Sequence, residues 1–198
     1  MLENLKKYHV ILASNSPRRK ELLGGLGIPF EVKTLSGIAE SFPQDLHGAA
    51  IAEYISSEKA DGYKALVTAN ELVITADTIV FVEHEDGRGE VLGKPKDAAD
   101  AKAMLRKLSG KSHLVITGVT IQTKEFRKTF STTTKVTFAA LSDAEIDYYV
   151  ERFAPLDKAG AYGIQEWIGY IGVTGIEGSF YNVMGLPIQR LYAELKHL

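Results

Sequence analysis

Two short segments carry residue types suited to phosphate chemistry. Ser14-Asn15-Ser16-Pro17-Arg18-Arg19 follows the apolar run Tyr8 to Ala13. Ser16 suits a helix N-cap and Pro17 the first helical position. The hydroxyls of Ser14 and Ser16, the free N–H groups of a helix start and two guanidiniums then converge where the helix dipole is positive, a means of holding a phosphate chain. Standing alone, the same residues are a capped helix with two solvated arginines. In Ile74-Thr75-Ala76-Asp77-Thr78-Ile79-Val80 a carboxylate interrupts an apolar strand. Burying Asp77 is costly unless a metal, a cation or a reacting water compensates it. The bland reading is a buried Asp that caps a neighbouring loop. An uncompensated charge there also implies that Asp77→Asn leaves the thermal midpoint unchanged or raised.

Weaker candidates join these two. Lys59 lies in Ser57-Glu58-Lys59-Ala60, and Lys94 sits between Gly93 and Pro95 on a rigid loop, where a pinned ammonium serves a triphosphate. Glu40, on a loop after Leu35-Ser36-Gly37-Ile38-Ala39, is a candidate second oxygen ligand beside Asp77 for Mg²⁺, which favours carboxylates plus substrate phosphate; by itself it reads as a surface glutamate. Pro155-Leu156-Asp157-Lys158-Ala159-Gly160-Ala161-Tyr162-Gly163-Ile164-Gln165 is rich in small residues, which let backbone approach a ligand, and Gln165 offers the donor and acceptor that reading a base edge takes. Its plain alternative is a packed loop with Gln165 satisfied internally.

Other matches fail. Gly110-Lys111-Ser112 imitates the end of a P-loop, but Leu105 stands where that loop needs glycine. The five histidines His9, His47, His84, His113 and His197 show no metal spacing, and no G-x-S-x-G is present.

These residues must be positioned by an ordinary globular chain. It has 198 residues, 23 Lys+Arg against 25 Asp+Glu, a formal charge of −2 and no cysteine. The expectation is a single domain over 1–198, with room for two lobes around a cleft. The charge excludes a globally basic nucleic-acid binder, and the absence of thiols excludes disulfides, thiolate nucleophiles and thiolate zinc sites. No apolar run approaches a membrane span and no leader pattern opens the chain, so a cytoplasmic protein without membrane attachment is expected.

The apolar periodicities predict a strand over 8–13, a helix from Pro17 closed by Gly27, and a helix over Gln44 to Leu66. The strand containing Asp77 covers Glu71 to Val82 and enters a hairpin turning at Glu85-Asp86-Gly87-Arg88-Gly89. A helix carrying Ala101, Met104, Leu105 and Leu108 ends at Ser109-Gly110. Long strands follow over His113 to Thr123 and Phe126 to Phe138. Ser142-Asp143-Ala144-Glu145 is a capping box, and Pro187 opens a last helix. Leu156 to Leu186 shows little periodicity. Strands alternating with helices and interrupted by hairpins predict an α/β fold with a mixed sheet and flanking helices.

Taken together, Ala13-Ser14-Asn15-Ser16-Pro17-Arg18-Arg19-Lys20-Glu21-Leu22-Leu23, Ala76-Asp77-Thr78-Ile79-Val80, Gly93-Lys94-Pro95, Leu108 to His113, and Leu156 to Gln165 resemble the motifs of the Maf family of nucleoside triphosphate pyrophosphatases. The likeness runs on to Gly178-Ser179 and Val183-Met184-Gly185-Leu186-Pro187. It implies a twisted mixed sheet of the inosine triphosphate pyrophosphatase type with a central substrate cleft. It also implies a Mg²⁺- or Mn²⁺-dependent enzyme that splits a nucleoside triphosphate into monophosphate and pyrophosphate. Asp77 matches the family's proton acceptor. Ser14, Arg19, Glu40, Lys59 and Lys94 match its phosphate- and metal-binding set. Arg18, Thr78 and Gln165 match residues that mark the dTTP/UTP subfamily. Ala154 departs from the Glu common before Pro-Leu-Asp-Lys-Ala-Gly. The family's association with septum formation makes a non-catalytic nucleotide-binding regulator the rival reading, and a homodimer is the default for a small enzyme.

Overall fold

The computed structural model describes residues 2–38, 40–83 and 89–198. Its helices are α1 (Pro17–Gly24), α2 (Ala49–Asp61), α3 (Ala98–Leu108), α4 (Asp143–Phe153), α5 (Trp167–Gly172), α6 (Phe180–Met184) and α7 (Ile188–Leu195). Its strands are β1 (His9–Leu12), β2 (Glu31–Val32), β3 (Glu71–Glu83), β4 (Gly89–Leu92), β5 (Ser112–Gln122), β6 (Arg127–Phe138) and β7 (Val173–Glu177). They form one seven-stranded sheet in the order β2-β1-β3-β5-β6-β7, with β4 paired to β3 off this path. β1 runs parallel to β2 and β3, whereas β3–β4 and β6–β7 are antiparallel. The mixed sheet expected from the alternation of strands and helices is therefore present. The β3–β4 hairpin pairs Val80 with Leu92 and Glu83 with Gly89. The expected turn residues Glu85 to Arg88 lie outside the described residues, as does His84.

The chain divides into two compact units, one of residues 1–77, 117–132 and 185–198 and another of 78–116 and 133–184. In the first unit, Leu12, Leu23, Leu72, Ile74, Val119, Ile121, Leu186, Leu191 and Leu195 form a core from which water is nearly excluded. In the second, α3 packs on α4, and Ala101, Leu105, Leu108, Ile146, Tyr149 and Val150 are buried. Both helices start on side-chain caps. Asp97 accepts from the Asp100 N–H at 2.8 Å. Ser142 Oγ accepts from the Glu145 N–H while Glu145 accepts from the Ser142 N–H, the reciprocal pair expected from the sequence.

α2 is shorter than its apolar pattern suggests. Gly48, at φ 53, has a non-helical backbone immediately before Ala49, and Gly62 caps the far end, leaving Lys64–Leu66 as a separate 3₁₀ turn. α1 likewise ends at Gly24, ahead of Gly27, whose φ of 68 closes the following turn. Leu156 to Leu186, which lacks periodicity, holds α5, β7 and α6, each of five or six residues. Among the described residues no helix is long and apolar enough to cross a membrane.

Candidate active site

α2 lies across β3 and β5 in three steps, all within the first unit. At Gly118 on β5, a Cβ would stand 2.1 Å from the Ala52 carbonyl oxygen, so only glycine permits the approach. One turn on, buried Ser56 meets the sheet twice. Its carbonyl accepts from Thr75 Oγ1 at 2.6 Å, and its hydroxyl lies 3.1 Å from Thr120 Oγ1. Next comes Lys59. Ser56 and Lys59 are three apart on one helix face, and Thr75 and Asp77 two apart on one strand face, so the bond at Ser56 presents the lysine to the aspartate.

Lys59 Nζ donates to Asp77 Oδ1 and to Glu40 Oε1, each at 2.7 Å. The side chains of Lys59 and Asp77 are 14% and 13% exposed, whereas that of Glu40 is 50% exposed. Asp77 is thus buried and paired. A cation does compensate it, and the unpaired charge assumed for the stability of Asp77→Asn is corrected here: that substitution strips the Lys59 ammonium of one of its two carboxylates.

α1 presents the second cationic group. Ser16 caps it, accepting from the Arg19 N–H at 3.4 Å, with Pro17 opening the helix as expected. Ser14 Oγ accepts from the Ser16 N–H and from an Arg19 guanidinium nitrogen, both at 3.3 Å. The guanidinium also donates to the Ala76 carbonyl at 2.9 Å and, through Nε, to the Gly185 carbonyl at 2.8 Å. Gly185 adopts φ 117, which favours glycine. Burial lowers the Arg19 pKa from its ordinary value, against the opposing pull of Asp77. Arg19 is therefore bonded to the residue preceding Asp77 and within electrostatic reach of Asp77, Glu40 and Arg18. Ser14, Ser16, Arg18, Arg19, Glu40, Lys59 and Asp77 all belong to the first unit.

Thr78, Lys94 and Gln165 belong to the second unit. The Gly93 carbonyl beside Lys94 accepts from the Gly160 N–H at 3.1 Å, which ties the lysine's loop to the small-residue segment. Gly160, at φ 67, would bring a Cβ within 2.8 Å of Val80. The room made by this glycine is taken by protein, which matches the packed-loop alternative. Gln165 differs: its Oε1 is buried and accepts no hydrogen bond among the described residues. A separate pocket of about 380 Å³ is lined by Lys64, Gln122, Phe126 and Arg127 among others, and by none of the candidate residues.

Thr75, Ser56 and Gly118 position the site without having been singled out from the sequence, and Gly185 is named there only within a motif, with no role at Arg19. An isolated glycine in a strand run, as at 118, signals close backbone approach, and Thr75 stands two residues from Asp77 in an otherwise apolar stretch.

Asp77 and Glu40 supply two hard oxygen donors gathered on one ammonium. This fits Mg²⁺ or Mn²⁺, which binds through one or two carboxylates with phosphate oxygens completing the shell. Among the described residues no group of three or more His, Cys, Asp and Glu is placed to hold a metal ion.

Residues 9–198 match the Maf-like protein family. The chain belongs to that family. It is 60% identical over 198 residues to a dTTP/UTP pyrophosphatase of Bacteroides thetaiotaomicron, covering all of both chains. It is 61% identical, again over the whole of both, to a dTTP/UTP pyrophosphatase of Phocaeicola vulgatus. A Flavobacterium psychrophilum protein of the same name is 47% identical, covering 98% of this chain and 94% of its own. The fold is shared with the Ham1 protein of Staphylococcus aureus, 20% identical at a TM-score of 0.51 with 96% of this chain and 98% of that one covered. A HAM1 protein from Coxiella burnetii, 12% identical, gives the same TM-score over 96% and 100% of the two chains.

Proposed function

We propose that this Maf-family chain hydrolyses nucleoside triphosphates, dTTP and UTP in preference to purine nucleotides, to the monophosphate and pyrophosphate, with a divalent cation. The observation that carries the reading is the contact of Lys59 with Asp77 and Glu40, beside an Arg19 pinned to the residue before Asp77. The names of relatives at 47% to 61% identity support it.

In this reading water attacks the α-phosphorus, the bond to the bridging oxygen breaks and pyrophosphate leaves. Asp77 takes the water's proton. Arg18, Arg19, Lys59 and Lys94 offset the charge of the phosphate chain, and the first N–H groups of α1 with Ser14 and Ser16 hold its oxygens. Asp77 and Glu40 would hold a divalent ion, which would supply charge neutralisation and acidify the attacking water. Gln165 and Thr78 meet the O4/N3 edge common to thymine and uracil, and an acceptor otherwise left unsatisfied is the kind of group that rejects a base lacking the matching donor.

The test is pyrophosphate release across the standard triphosphates with Mg²⁺ and with Mn²⁺. Release from dTTP and UTP at least about tenfold faster than from ATP and GTP is expected. Release no faster than in a protein-free control overturns the hydrolase reading, and a purine preference overturns the base assignment.

A further inference from the structure

We propose that Lys59 is a stand-in for the divalent cation, so that a free dication must displace its ammonium to reach Asp77 and Glu40. The inference rests on the hydrolase reading above and deepens it by giving Lys59 a role at the two carboxylates that would hold the metal.

One ammonium bonds both carboxylates that fit a metal, at 2.7 Å each. A free dication approaching Asp77 and Glu40 meets two anions already paired with Lys59, with the Arg19 guanidinium within electrostatic reach of both. The formal charges of these four groups cancel. No larger cluster of ligating side chains is available among the described residues to outbid the lysine. The local balance therefore offers little for a dication alone.

The two cations differ in their freedom to leave. Arg19 is held by the main-chain carbonyls of Ala76 and Gly185 as well as by Ser14. Lys59 is held at its tip by the two carboxylates, on a flexible four-carbon stem. A triphosphate offers Lys59 other oxygens, and an ammonium that turns to a phosphate gives up its bonds to Asp77 and Glu40 together. Glu40, half-exposed, has the solvent access to adjust. The exchange makes and breaks only ion pairs, and the incoming phosphate supplies the negative charge that Lys59 then faces.

The test uses Mn²⁺ alone, without nucleotide, titrated into the wild-type protein, Lys59→Met, Lys59→Gln and the double variant Lys59→Met/Asp77→Asn. Free Mn²⁺ is read by its paramagnetic resonance signal, with far-ultraviolet circular dichroism confirming that each variant is folded. Both single variants are expected to bind Mn²⁺ at least about tenfold more tightly than wild type, a difference in binding of about 1.4 kcal/mol, and the double variant to lose that gain. Equal affinity in the wild type and the single variants overturns the proposal, as does a gain that survives Asp77→Asn. Stoichiometric binding of Mn²⁺ to the wild type without nucleotide overturns it with no variant at all. No turnover enters these titrations, so they fail or succeed separately from the pyrophosphate assay.

Discussion

Thr75 donates its hydroxyl to the carbonyl oxygen of Ser56 at 2.6 Å, with both residues wholly buried. The bond joins β3 to α2 one helical turn before Lys59 and two strand residues before Asp77. It fixes the height at which the ammonium meets the carboxylate. Thr75→Val keeps the shape and removes the donor. A loss of about 1 kcal/mol is expected in urea unfolding, with a fall in kcat larger than any rise in KM, because Lys59 is then placed less sharply. Unchanged kcat beside a lower stability would leave Thr75 a purely structural residue.

Gly118→Ala tests the same packing from the β5 side. The added methyl would fall 2.1 Å from the Ala52 carbonyl oxygen, so backbone must move. Destabilisation of at least about 2 kcal/mol is expected, measured as a lowered urea midpoint.

Asp77→Asn is expected to reduce turnover at least about a hundredfold while lowering stability by only about 1 kcal/mol, because Lys59 keeps Glu40 as a partner at a site not fully sealed from water. Pyrophosphate release and thermal melting read the two effects. Near-normal turnover would remove Asp77 from the chemistry.

The sites that bear these predictions were unequally legible. β1, β3, β5, β6 and the starts of α1 and α4 follow from local signals, because a branched apolar run, a Ser-Pro start or a capping box acts within a few residues. β7 owes its existence to pairing with β6, where Lys135 meets Glu177, and no five-residue window announces a partner some forty residues away. Asp77 stood out as an anomaly in its strand, but its pairing with Lys59, 18 residues earlier, depends on how α2 lies across the sheet. Gly48 and Gly62 set the length of α2 against its apolar pattern, since backbone conformation at a helix end outweighs periodicity beyond it.

His113 gives the expected pH response. It is buried, its Nε2 lies 2.7 Å from the Tyr162 hydroxyl, and burial pushes its pKa from 6.5 down to about 4. Above 6.5 neither folded nor unfolded chain protonates it. Between 6.5 and about 4 only the unfolded chain binds the proton, so stability falls as pH falls, by about 3 kcal/mol across the window, and below about 4 this contribution is constant. Urea unfolding of His113→Phe between pH 7 and 4 is expected to show a shallower decline than wild type. Parallel curves would refute the assignment.

Gln165→Ala is expected to narrow the preference for dTTP and UTP over GTP by about tenfold while leaving pyrophosphate release measurable. Competition between the nucleotides in one assay gives the ratio of kcat/KM directly. An unchanged ratio would take Gln165 out of base selection.

The grip on Arg19 comes partly from peptide carbonyls, at Ala76 and Gly185. A carbonyl is supplied by every residue, so those two anchors depend on the path of the chain and not on the chemistry of neighbouring side chains. At 76 this one demand would be met by any small residue that fits the strand. At 185 the φ of 117 narrows the choice to glycine. The arginine is thus insulated from sequence drift on one side and tied, on the other, to a single torsion angle 166 residues away.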